Sequence, residues 1–510
     1  VSSRTAFWRK IGYLCAIVVL LSSLAWISPP ETTGSGGQGG SPGGVLAQLR
    51  SENGLSQANL GEIDPTSEAI KLATLGMRGV AANVLWTKAN DYFRTKDWNN
   101  FSATVQQIIK LQPNFVGVWR YQGWVQAYNV SVEWDDYRDR YFWVTKGINF
   151  LREGTRYNDA EPILQWDIGW TTGHKIGRAD ESKQFRQLFR DDDVFHGDRA
   201  VALRDNWLVG KEAFLEAREM MDNRGLSIRG QNPLLFHADI PLWQANYASA
   251  REDDGDFGEV ARLAWEKAAR EFEQFGVRDL PAYDGRTLRL ADYEANVAQL
   301  AEIQKQMEEA APGLRDKLLE EKMPSLTEEE LVTYKRTIGE YGPSDYDNAQ
   351  KISRKLHVTY GEISDRAKDL PTAEQVAKLC ERGQQLEATL LTLDNWRNVV
   401  KYTYWNERCK AEATEDAIEG RRAIYEADRA FRDEAELEKA RDLYVTGMGH
   451  WRKVLDQYPV LKTDPTVGEG LADVIMRYQD CLRQLDETLP EPFVLADVME
   501  AQWQYMQLPK

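Results

Sequence analysis

Thiols, imidazoles and positive charge are all scarce in this sequence. Four cysteines occur in 510 residues, and no two stand in a Cys-x-x-Cys spacing. Such a set predicts neither a zinc site nor a disulfide framework. The five histidines, His174, His196, His237, His357 and His450, have no partner at a zinc-ligand spacing. The one Gly-x-Ser-x-Gly match, residues 39–43, lies in a glycine-rich stretch and does not read as a strand-to-helix elbow, and no dinucleotide fingerprint follows a strand. Lysine and arginine are outnumbered, and the formal net charge is −17. That balance argues against nucleic acid, whose phosphates require a basic surface. Carboxylate pairs are frequent because the chain is acidic, so they do not by themselves indicate glycoside hydrolysis.

Long apolar runs are also few, and one stands out. Residues 11–27, IGYLCAIVVLLSSLAWI, carry no charge; Arg4, Arg9 and Lys10 precede them and Pro29 and Pro30 follow. The run is close to the length that spans a bilayer, and the basic flank places its N-terminal side in the cytoplasm. The reading is a transmembrane anchor, with a cleaved signal peptide as the alternative. Either way the bulk of the chain is exported. Residues 28–65 include GSGGQGGSPGG and read as a flexible linker.

What the chain has in quantity is aromatic side chains and helical periodicity. There are 17 tryptophans, and the hydrophobic fraction is 42%. In ANVLWTKANDYFRTKDWNNFSATVQQIIKLQP, residues 82–113, Leu85, Ala89 and Tyr92 share one helical face. Lys96-Asp97-Trp98 breaks the pattern, Phe101, Val105 and Ile108 line a second helix, and Pro113 ends it. Leu85 is matched by Trp119 and Ala89 by Gly123, each 34 residues later. This unit resembles a tetratricopeptide repeat. Phe101 stands where alanine is usual, and Gln126 where Tyr92 predicts an aromatic.

Further pairs follow. Trp119, Gly123 and Ala127 mark a first helix, and Tyr141, Val144, Ile148 and Leu151 its partner, with 129–138 as an insertion in the turn. Residues 162–172, opened by Pro162 and carrying Gly169, are expected to pair with 181–189. A fourth pair is expected at 241–250 and 260–275. Residues 291–309 read as a long amphipathic helix, and Thr327 and Thr372 as capping-box residues. Near the C-terminus Ala427, Ala440 and Tyr444 repeat the opening pattern. If the chain turns near residues 393–395, Cys380 and Cys409 lie close across a hairpin; if the helix is continuous, roughly 43 Å separates them.

The predicted fold is all-α: a TPR-like helical repeat solenoid with a long-helix connector and a C-terminal helical repeat region, preceded by one transmembrane helix. The expected divisions are a cytoplasmic N-terminus at 1–10, anchor at 11–27, linker at 28–65, repeats at 66–285, connector at 286–370 and a second TPR-like domain at 371–510. The whole arrangement resembles membrane-anchored repeat proteins of the planctomycete type. The likeness rests on LWTKANDYF with IIKLQPNF, on Gly123-Trp124 and Gly169-Trp170, and on NWRNVVKYTYWNERC. It implies fold and compartment, and no activity.

Two readings suit Trp119, Trp124, Trp134, Trp143, Trp166 and Trp170: core packing, or a concave groove that holds a peptide or stacks sugars. Trp134 is set apart because it lies in the insertion. The acid–histidine run 191–198 and the acidic turn 253–259 read as solvated loops more readily than as metal sites. No catalytic residue, cofactor or metal is expected. The expected function is a protein-binding scaffold in the cell envelope. The alternatives are a glycan- or small-molecule-binding protein using residues 119–170, and an envelope enzyme with a site near 191–198.

Overall fold

The computed structural model describes residues 78–507, apart from 230 and 338–341, together with positions 45 and 48. The anchor expected at 11–27 lies outside the described residues, as does nearly all of the linker. Among the described residues no helix is long and apolar enough to cross a membrane. The fold is all-α, and one two-stranded hairpin is the only sheet among the described residues. The chain divides into two compact units between Asn232 and Pro233.

In the first unit, α1 (Arg78–Arg94) folds back on α2 (Trp98–Leu111). Asp97 caps α2 by accepting from the Asn100 amide. Ala89, Phe101, Val105 and Ile108 are buried as their spacing predicts, with Leu85 and Tyr92 packed against them. The next helix, α3 (Val116–Trp124), does not stop at a turn: it runs on through a π-helical turn, Val125–Val130, and a 3-10 turn, Ser131–Glu133. The expected insertion is therefore partly a helical extension. Its partner is α4 (Tyr137–Tyr157).

The helix α5 (Pro162–Trp170), with proline at its start, is likewise extended by a π turn, Thr171–Lys175, and a last turn, Ile176–Arg178. The helix α6 (Ser182–Asp191) was the expected partner of α5. Instead α5 packs chiefly along α7 (Asn206–Arg224), while α6 leans on α4 and the end of α5. Backbone approach decides the pairing. A Cβ at Gly169 would lie 2.5 Å from the Gly210 carbonyl oxygen and 2.6 Å from the Phe214 ring. Nothing larger than glycine fits there.

The second unit opens with α8 (Pro233–Asp253), which begins eight residues before the expected start and carries Pro241 inside it. It pairs with α9 (Glu259–Gly276). A short antiparallel hairpin, β1 (Leu280–Pro281) with β2 (Thr287–Leu288), pairs Leu280 with Leu288. The amphipathic helix α10 (Tyr293–Ala310) lies along α15 (Ala373–Val399). Between them come α11 (Leu314–Lys322), α12 (Glu328–Lys335), α13 (Pro343–Leu356) and α14 (Tyr360–Arg366). Thr327 forms the expected capping box, and Thr359 with Glu362 forms another. Thr372 does not cap: its backbone, at φ −95° and ψ 11°, is outside the extended region of a cap, and its hydroxyl is turned to the Ala310 carbonyl.

No turn occurs at 393–395. The helix α15 continues to Val399, and the break falls at Lys401, whose φ is +49°. Cys380 and Cys409 are free and buried in different cores. The aromatic helix α16 (Tyr402–Glu412) returns to α9, where Trp405 stacks on Phe272 at 6.1 Å and Tyr402 meets Phe275 edge-on. The boundary expected at 285/286 thus separates α9 from helices with which it shares a core.

The unit closes with α17 (Glu415–Arg432), α18 (Leu437–Gln457), α19 (Val467–Gln484) and the short α20 (Ala496–Ala501). Ala427, Ala440 and Tyr444 are fully buried in this last core. One crossing device serves both units. A Cβ at Gly147 would lie 2.7 Å from the Gly123 oxygen, and one at Gly447 would lie 3.0 Å from the Gly420 oxygen.

Candidate functional site: an aromatic ribbon across four helices

The two π turns begin directly after Gly123-Trp124 and Gly169-Trp170, 46 residues apart. A π turn inserts one extra residue into an α-helix, and such turns recur at functional sites. Each one here carries an aromatic ring four residues beyond its tryptophan. Trp124 stacks with Tyr128 at 6.2 Å, and Trp170 with His174 at 5.0 Å and 13°. The two pairs meet where Tyr128 faces His174, with ring centres 6.3 Å apart.

The contacts extend in both directions. Trp124 touches Tyr121, and Tyr121 touches Trp86 on α1. Trp170 stacks on Trp166, and Trp166 on Phe214 of α7. Eight rings thus run without a gap across α1, α3, α5 and α7, with centres 5.0 to 6.4 Å apart. Tyr121 and Trp124 are about half exposed, at 46% and 48%.

Charged groups fasten the ribbon. Arg120 on α3 makes a two-pronged ion pair with Asp167 on α5, at 2.5 and 3.2 Å. Burial lifts the Asp167 carboxyl above its ordinary range, although Arg120 pulls it down. The Lys175 ammonium sits over the Tyr128 ring. Burial also pushes the Tyr128 hydroxyl far up, so it stays protonated. Its oxygen lies 3.4 Å from His174 Nδ1.

Burial, with Arg178 and Lys175 nearby, holds His174 below its usual pKa of 6.5. The folded state therefore resists protonating an imidazole that the unfolded chain protonates readily. Its contribution is complete above about pH 6.5 and is lost as pH falls through the lower folded value. His174→Gln is expected to flatten the acid side of the stability curve without moving the neutral side. Thermal melts between pH 7 and pH 5 check this; an unchanged slope would remove His174 as a cause.

The six tryptophans singled out in the sequence separate cleanly. Trp124, Trp166 and Trp170 belong to the ribbon. Trp119 is wholly buried, its indole donating to the Pro113 carbonyl at 2.7 Å, so it cannot meet a partner. Trp143 is 6% exposed and core-packed for the same reason. Trp134 stacks on Trp143 and packs against that core in spite of its place in the insertion. Sequence reasoning missed Trp86, Tyr121, Tyr128, His174 and Phe214. The repeated Gly-Trp-x-x-x-aromatic pattern at 123–128 and 169–174 was the available signal.

The acid–histidine run is consumed structurally. Asp192 caps the Phe195 amide and accepts from the Tyr141 hydroxyl, Asp193 pairs with Arg204, and His196 Nε2 meets the Phe189 carbonyl oxygen. In the acidic turn, Asp256 pairs with Arg251 and Glu259 with Arg262. Among the described residues no cluster of three potential metal ligands occurs. No protein-family model, curated protein or solved structure matches the chain.

Proposed function

We propose that the protein is a membrane-anchored, exported scaffold whose TPR-like helical repeats hold a segment of a partner protein in the cell envelope. One observation carries this reading: the ring ribbon crosses the four helices α1, α3, α5 and α7 and leaves Tyr121 and Trp124 half open. Supporting it are the helix hairpins with small residues at their crossings, the 34-residue spacing and the apolar run at 11–27. Such arrays bind extended or helical segments along a face without catalytic groups.

The glycan reading has one feature in its favour, the two half-open rings at 121 and 124. Sugars stack on free ring faces, and Trp166, Trp170 and His174 stack face to face on one another. A ribbon of ring edges suits apolar side chains better.

A benzophenone amino acid at position 121, cross-linked in native membranes, is expected to capture one recurrent envelope protein. Trp124→Ala combined with Trp170→Ala is expected to abolish that capture while the helical signal persists. Recovery of the protein alone, or capture unaffected by the double change, would sink the proposal. A saturable fluorescence response to cell-wall fragments, lost in the same variant, would replace it with glycan binding.

A further inference from the structure

On the side of α3 away from the ribbon lies a cavity of about 480 Å³, bounded by α2, α3, α4 and the turn after α6. Gln126 lines it from within the first π turn, two residues from both Trp124 and Tyr128. Two residues are about 200° around a helix, so Gln126 points away from the ring face. The position is the one where the repeat pattern predicts an aromatic. Gln126 is 4% exposed, and its buried amide oxygen has no hydrogen-bond partner among the described residues. The Ser102 hydroxyl, also lining the cavity, is buried and unpartnered in the same sense. A buried unmet acceptor is destabilising, so two residues carrying one beside the same cavity set this wall apart from ordinary core.

Two of the three charged groups lining the cavity are unpaired as well. Lys146 projects over the Trp143 ring, 4.0 Å from its centre, and no carboxylate pairs with it among the described residues. Glu153 lines the same cavity and has no cationic partner among them. The two sit seven residues apart on one face of α4, about 10 Å along the axis. Val105 and Phe150 provide an apolar floor, and Phe142, 56% exposed, stands at the rim. Asp192 also lines the cavity, but its oxygens are already engaged by Tyr141 and Phe195. Burial lowers the Lys146 pKa, as expected for an ammonium without a counter-ion.

From this we infer that the cavity is a binding site for a small zwitterion, an α-amino acid or a short peptide with free termini. Lys146 receives its carboxylate and Glu153 its ammonium, while Gln126 and Ser102 form the polar wall beside them. The apolar floor takes a side chain. This inference concerns another face of the unit and does not rest on the scaffold reading.

Isothermal titration of the purified full chain tests it, with phenylalanine, leucine, trialanine and triphenylalanine as probes. Acetylated, amidated trialanine serves as the uncharged control. Saturable binding of at least one free zwitterion is expected, with none for the blocked peptide. Lys146→Met and Glu153→Gln are each expected to weaken it about tenfold or more. Lys146→Arg should retain most of the affinity, and far-UV dichroism should be unchanged in all three. Saturation by the amino acids alone assigns a free amino acid; saturation by the tripeptides alone assigns a peptide. Absence of saturable heat with every probe, equal affinity for the blocked peptide, or full affinity in Lys146→Met overturns the inference.

Discussion

Glu412→Gln is expected to destabilise the second unit by about 3–5 kcal/mol, the usual cost of breaking a buried ion pair from one side. Glu412 is completely buried at the end of α16. Arg421 of α17 forks onto it, Arg408 lies 3.5 Å away, and Arg421 also reaches Glu252 of α8 at 3.3 Å. The arginines in turn lie over indole rings, Arg421 over Trp451 and Arg408 over Trp265. Removing the Glu412 charge takes from the buried Arg408 and the partly exposed Arg421 the carboxylate they share, and leaves Glu252 as the one carboxyl facing Arg421.

That carboxyl makes the network pH-dependent. Burial pushes Glu252 from its ordinary 4.5 up to about 8, against the pull of Arg421, while the arginines hold Glu412 below its ordinary range. A raised carboxyl stabilises the fold by holding its proton. That contribution is complete below about pH 4.5 and is lost as pH rises through about 8. Glu252→Gln keeps an acceptor for the Trp265 indole, 3.0 Å away, and cannot ionise. It is expected to be mild at pH 5 and increasingly stabilising relative to wild type towards pH 8. Urea titrations of both variants at the two pH values check the pair. Equal stability of Glu412→Gln and wild type would show that the buried pair contributes nothing.

The second large effect concerns the crossings. Gly447→Leu is expected to cost about 3 kcal/mol, at the upper end of overpacking penalties. A Cβ there would meet Ile424 at 2.8 Å and the Gly420 oxygen at 3.0 Å, and a backbone carbonyl cannot swing aside. Gly449, two residues along the same helix, is the control. Nothing lies within 4 Å of its Cβ, so Gly449→Ala is expected to stabilise by about 1 kcal/mol through helix propensity alone. Opposite signs at 447 and 449 in thermal or urea unfolding would establish the glycine crossing; equal signs would dismiss it. Gly169, with a backbone oxygen closer still, is expected to follow Gly447.

The helices were legible because their signals are local. Pro162 opens α5, the Thr327 box opens α12, and the three- and four-residue spacing of Leu85, Ala89, Tyr92 and of Phe101, Val105, Ile108 marks buried faces. The small residues at 89, 123, 169, 427 and 440 were also readable, since only close helix approach requires them. Which helix approaches which was not readable. Gly169 demands a near neighbour, but only the fold shows it to be Gly210 of α7 and not a residue of α6.

The same division applies to function. Sequence alone determined an acidic, tryptophan-rich, all-helical chain with dispersed cysteines and a bias against nucleic acid, because composition and periodicity are properties of the chain itself. Tertiary structure decided which tryptophans are core and which form a ribbon, because Trp119 and Trp124 differ in surroundings and not in type. It also decided the two π turns, the return of α16 to α9 and the cavity beside Gln126. Each of these depends on which residues distant in sequence come into contact, and local spacing carries no record of that.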